Sequence, residues 1–209
     1  MKAWLSMALL AATAPALADE ALTPQALEEL VQCASFERYQ ALQPALLDVV
    51  FDKGPDWIRK NERASTLGVY AYDLKRPIRV FGAETTRLAL HKEYVSVPLP
   101  SGWTMAEAAS RLRLKRAPIK AAEQHYRFVG NDGPMLSAYE MPANPLAALL
   151  GAPQGEPQGE PLRYLGCSYN GASEETFLSV AAQADEMMQK ARGDMERMLR
   201  DVAKPSEDQ

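Results

Sequence analysis

The sequence predicts an α+β fold: an antiparallel sheet of about five to six strands, with N-terminal helices and a long C-terminal helix packed on one face. Three observations predict it. Apolar residues recur at helical spacing near both ends of the chain, they alternate with period two through its middle, and turn residues separate the alternating runs. Strands gathered between terminal helices form a sheet that those helices cover.

The first residues stand apart from that fold. Met1-Lys2 precedes an apolar run from Ala3 to Ala18, which closes with Ala16-Leu17-Ala18 before Asp19-Glu20. This is the pattern of a secretory signal peptide, so residues 1–18 are expected to be removed. The run is shorter than the roughly 20 apolar residues a bilayer core requires. No later run is longer, so no transmembrane anchor is expected after cleavage, and a periplasmic or secreted location follows. The 209-residue chain has a formal charge of −4, which becomes −5 without Lys2, the only charged side chain in residues 1–18. An acidic balance argues against a nucleic-acid partner.

Residues 19–203 read as a single domain. Thr23-Pro24 is a helix cap followed by proline in the first turn, and Leu27, Leu30, Val31 and Ala34 follow at helical spacing. A second helix is expected from Glu37 to Phe51, kinked or restarted at Pro44 and stopped by Gly54-Pro55. Asp52 to Ala64 reads as a surface connection anchored by Trp57. The period then changes to two: Leu67 to Tyr72 and Ile78 to Gly82 are expected to form a hairpin about a turn at Asp73–Pro77. Arg87 to Leu99 continues as a third, bent strand that Pro98 and Pro100 end.

Thr104 and Glu107 have capping-box spacing, so a helix is expected to about Leu114. Gln124–Val129 and Met135–Met141 form a second hairpin about Gly130–Pro134, and Asn144-Pro145 opens a short helix to Leu150. Residues 152–161 contain a repeated Pro-Gln-Gly-Glu, a composition that makes a surface loop and no core. Leu162–Tyr169 is the last strand. From its cap at Ser173 the final helix carries Phe177, Ala181, Ala184, Met188, Ala191, Met195, Met198 and Val202 in four-three alternation, a heptad seam expected to cover the sheet beside the first helix. Residues 204–209 are expected to be a frayed polar tail.

Cys33 and Cys167 are the only cysteines. In an oxidising compartment such a pair is expected to be bonded, which ties the first helix to the root of the last.

No catalytic signature is found. A Gly-x-Ser-x-Gly elbow, Ser-x-x-Lys and a phosphate-binding glycine loop are all missing from the sequence. His91, Glu93 and His125 are weak candidates for a two-histidine, one-carboxylate metal site, and Met195 and Met198 place two thioethers on one helical face. Both groups are better explained by strand surface and core packing, so no metal or cofactor is expected. Arg111, Arg113, Lys115, Arg116 and Lys120 form a basic cluster. It suits either the carbonyl end of a helix or an anionic partner.

The reading that follows is an exported, non-catalytic binding protein of the cell envelope, of inhibitor, immunity or assembly-factor type, whose partner is another envelope protein or a cell-wall component. Trp57, Trp103, Tyr70, Tyr72, Tyr126 and Arg127 are its candidate contacts, because large amphipathic side chains dominate interface energetics. The alternatives are a small periplasmic hydrolase whose carboxylates converge only in the fold, and a metal-handling protein using the histidines or methionines.

Overall fold

A computed structural model of the chain describes residues 21–66, 68–120, 122–130, 133–143 and 160–202. The expected signal peptide, the helix over 144–150, most of the 152–161 loop and the tail lie outside the described residues.

Four helices are described: α1 (Pro24–Val31), α2 (Phe36–Val50), α3 (Met105–Leu112) and α4 (Glu174–Val202). Eight strands accompany them: β1 (Ile58–Lys60), β2 (Tyr70–Val80), β3 (Ala83–His91), β4 (Tyr94–Pro98), β5 (Lys115–Arg116), β6 (Gln124–Phe128), β7 (Met135–Met141) and β8 (Leu162–Ser168). The caps form as expected. Thr23 accepts from the Ala26 amide, and Thr104 and Glu107 close a reciprocal capping box. Pro44 lies inside a continuous α2 on its exposed side.

All eight strands form one antiparallel sheet in the order β1-β2-β3-β4-β8-β7-β6-β5. Two four-stranded meanders therefore meet side by side at β4 and β8, each preceded in the chain by helix. The expected five to six strands is an undercount, because β1 and β5 are edge strands of three and two residues, too short to alternate visibly. Asp73–Pro77 is not a turn: β2 runs through it with a register shift between Asp73 and Ile78. The reversal comes at Phe81-Gly82, whose φ angles of 53° and 81° suit a tight hairpin. The single bent strand expected over 87–99 is instead β3 and β4, reversed at Lys92-Glu93.

Proline explains where β3 and β4 part. Their pairing runs from His91↔Tyr94 to Ala89↔Ser96, and the same register brings Pro98 opposite Arg87. Pro98 has no N–H to give. The Arg87 carbonyl accepts from the Thr85 hydroxyl at 3.5 Å instead, the Arg87 amide donates to that hydroxyl at 3.2 Å, and the strands splay into an open groove of about 330 Å³ between Thr85, Arg87, Val97 and Ser101.

One face of the sheet is sealed by helices. Leu27, Leu30 and Val31 of α1, Leu42 and Leu46 of α2, and Met105 and Ala108 of α3 share a core with Val95, Val97, Leu136, Ala138, Leu165 and Cys167. The Cys33–Cys167 disulfide ties the end of α1 to β8, with Cα atoms 5.1 Å apart. Beside it the Tyr169 ring stacks on Tyr39 at 4.3 Å, and its hydroxyl donates to the Leu30 carbonyl at 2.8 Å. Helix α1 also caps a bare edge. β1 reaches only to Leu74, so the Arg79 and Phe81 amides beyond it donate instead to the Glu28 and Gln32 side chains, at 2.6 and 3.3 Å.

Helix α4 does not lie beside α1. Successive strand residues point to opposite faces, so Tyr126, Phe128 and Met135 look away from the core that holds Leu136 and Ala138. Phe177 and Leu178 of α4 pack on that second face. The expectation that all helices share one face is thus corrected: Cys167 points into the helix-covered core, and the chain crosses the end of the sheet between Tyr169 and Phe177.

Candidate interaction surface

Helix α4 is held at its root. Ser173 caps it by accepting from the Thr176 amide at 3.2 Å. Glu174 accepts from the Lys115 ammonium and the Tyr126 hydroxyl, both at 3.0 Å. The Lys115 and Tyr126 bonds hold the Glu174 carboxyl below its ordinary pKa, while burial and Glu174 push the Tyr126 hydroxyl up to about 12. The Phe177 ring sits 4.8 Å from Tyr126 and 6.1 Å from Phe128. Ala181 is buried, and buried Asp185 accepts from the Lys120 amide at 2.8 Å. Glu174, Phe177, Leu178, Ala181 and Asp185 therefore form the stripe by which the helix docks.

A second apolar stripe lies about a quarter turn away, at 100° per residue. Val180, Ala184, Met187, Ala191, Met195 and Met198 follow one another at spacings of four, three, four, four and three. Val180, Met187 and Met198 are 59%, 73% and 65% exposed, Ala184 and Ala191 are exposed, and Met195 is half-buried. The expected heptad seam is divided between the two stripes. Phe177 and Ala181 face the sheet, whereas Ala184, Met188, Ala191 and Met198 are exposed. A straight helix drifts about 20° per heptad against a seven-residue repeat, so a seam that starts on the sheet rotates into solvent. An eleven-residue spacing drifts by the same angle over a longer stretch and in the opposite sense, and it brings Met187, which the heptad excludes, onto the free face.

The other candidate contacts do not assemble. Trp57, Tyr72 and Tyr126 are buried, which corrects their expected exposure: Trp57 and Tyr72 fill the helix-covered core and Tyr126 receives α4. Trp103 is half-buried with Arg111 stacked 4.6 Å above its ring. Tyr70 is exposed on β2, and Arg127, on β6, donates to the Leu112 carbonyl at 3.2 Å. Five strand steps separate β2 from β6, about 24 Å at 4.8 Å each.

Of the basic cluster, Lys115 pairs with Glu174 and Arg116 with Glu123, each at 3.0 Å, and Arg113 is the left-handed cap of α3. Lys120 contributes its backbone amide to Asp185, and Arg111 its stack on Trp103.

His91, Glu93 and His125 do not converge. His91 pairs with Tyr94 on the face away from α1, and His125 pairs with Ala138 on the helix-covered face, four strands distant. Desolvation first, and Lys92 second, lower the His91 pKa. His125 bonds Glu123 at 2.9 Å. Among the described residues no group of three or more His, Cys, Asp or Glu side chains could hold a metal ion. Nor is any helix among them long and apolar enough to cross a membrane. The groove beside Pro98 has Glu84 as its one lining carboxylate, short of the pair that glycoside chemistry uses.

No family model, curated protein or solved structure matches the chain.

Proposed function

We propose that the protein is an exported, non-catalytic binding protein of the cell envelope that presents the free face of α4 to a partner. One observation carries this reading: six apolar residues, Val180 to Met198, are aligned on a helix whose docking is done by a different stripe. Contiguous exposed apolar surface of this kind marks interaction sites in proteins that otherwise bury their cores. Methionine suits the role, because its flexible thioether adapts to a partner surface. The leader pattern and the Cys33–Cys167 bond support an oxidising, extracytoplasmic location.

Site-specific photocrosslinking in the protein's own cells tests the reading. With p-benzoylphenylalanine in place of Met187, irradiation is expected to give a discrete higher-mass adduct. The same group in place of Glu186, which points away from the stripe, is expected to give none. Adducts from neither position, or the same adducts from both, would contradict the proposal.

A further inference from the structure

Resting on the reading of this face as a binding surface, we infer that its partner is a second copy of the chain, paired antiparallel about a two-fold axis at Ala191. The spacing of the stripe is its own mirror image there: Ala184, Met187, Ala191, Met195 and Met198 are separated by three, four, four and three residues. Only an antiparallel pair uses that symmetry, since reversing one helix then superposes the two stripes in register. A two-fold interface is isologous, so a surface that complements itself is what it requires.

The side chains complement each other in this register. Ala184 meets the partner's Met198, small against large at both ends of the contact. Met187 meets the partner's Met195. Ala191 meets its own counterpart at the axis, where a methyl group lets the two helices approach closely. Packing of this kind, with unequal side chains interlocking, fills the space between helices better than equal ones would.

Charge agrees with the same register. Lys190 and Asp194 flank the stripe on one side, and both are exposed. In a pair related by a two-fold axis perpendicular to the helices, each flank faces the same flank of the partner. Lys190 therefore comes opposite the partner's Asp194, offset by about 3 Å along the axis at 1.5 Å per residue, and symmetry makes the pair twice. The docked stripe of Phe177, Leu178, Ala181 and Asp185 lies about a quarter turn away and contributes no residue to the pairing stripe, so pairing leaves its contacts intact. A contact of a few residues per copy is small beside the roughly 1,600 Å² of a standard interface, so the pairing is expected to be reversible.

Sedimentation of the mature full-length chain, from low micromolar to near-millimolar concentration, is expected to show a reversible monomer–dimer equilibrium. Lys190→Asp sets like charges across the contact and is expected to weaken it about tenfold, roughly 1.4 kcal/mol. Lys190→Asp with Asp194→Lys is expected to restore it, a recovery that damage to folding would not give. Ala191→Cys is expected to yield a covalent dimer on oxidation and Val180→Cys none, because each Val180 then lies about 33 Å from its counterpart at 1.5 Å per residue. A chain that stays monomeric throughout, no rescue by the double variant, or covalent dimers from both cysteine positions would overturn the inference. If the Met187 photocrosslinker captures a different protein while the purified chain stays monomeric, self-pairing fails and the binding face stands. If it captures nothing, both fail.

Discussion

Replacing both Cys33 and Cys167 by alanine is expected to lower stability by about 5 kcal/mol, the loop-closure entropy of a cross-link spanning 134 residues at 25 °C. That is a large share of the roughly 5–15 kcal/mol that holds a domain together. For a chain of this size it corresponds to a fall in Tm of about 10–20 °C. The bond also has a local task. It fixes the end of α1, where Cys33 takes a φ of 65°, against the middle of the sheet, and α1 in turn supplies the Glu28 and Gln32 caps of the β2 edge. Amide exchange at Arg79 and Phe81 is therefore expected to accelerate in the double variant more than exchange within β7. Equal Tm values for the two proteins would contradict this account of how α1 is held.

Gly166→Ala is the single substitution expected to cost most, about 3 kcal/mol or more, as overpacking in the middle of a sheet that has nowhere to move. Gly166 stands on β8 between Ser96 of β4 and Ser137 of β7. A Cβ there would run into the Val95 carbonyl oxygen and the Ser96 Cα, atoms of the neighbouring backbone rather than the end of a flexible side chain. The small row of Ser96, Gly166 and Ser137 also lets the Tyr139 hydroxyl reach the Ser96 hydroxyl at 3.0 Å. Gly193→Ala is the control. Beyond its chain neighbours and the surrounding helix backbone no atom lies within 4 Å of its added methyl, and it sits inside α4, so it is expected to stabilise the helix by up to about 1 kcal/mol. Urea unfolding reads both changes. A Gly166→Ala protein as stable as the parent would mean that β4 and β8 are not packed as described.

Much of the framework was legible where local chemistry decides it. Thr23, Thr104 and Ser173 are caps because a hydroxyl before a helix satisfies an amide that has no helical partner. Cys33 and Cys167 could be paired because they are the only two. Less legible were features set by distant parts of the chain. Asp73–Pro77 has turn composition, yet it stays in β2 because the Lys75 amide donates to the carbonyl of Trp57, the residue before β1, at 2.8 Å. Trp57 and Tyr126 resemble surface aromatics in a polar context, but α2, the sheet and α4 bury them.

The face of α4 was misread for a subtler reason. Spacings of 3.5 and 3.67 residues per turn share most of their members over one heptad and diverge only over three. A heptad seam and an eleven-residue stripe therefore both pass through Ala184, Ala191, Met195 and Met198. Which one is free depends on where Phe177 meets Tyr126, and the pairing of β6 with β7, distant from α4 in sequence, determines that contact.

Methionine oxidation, mapped by peptide mass spectrometry on dilute protein, tests most directly whether the chain leaves this face uncovered. Thioether oxidation follows exposure. Met187 and Met198 are expected to oxidise rapidly while Met105 and Met135, both almost fully buried, resist until the protein unfolds. Met187 and Met198 as slow to react as Met135 would contradict the account, because the stripe would then be covered by its own chain.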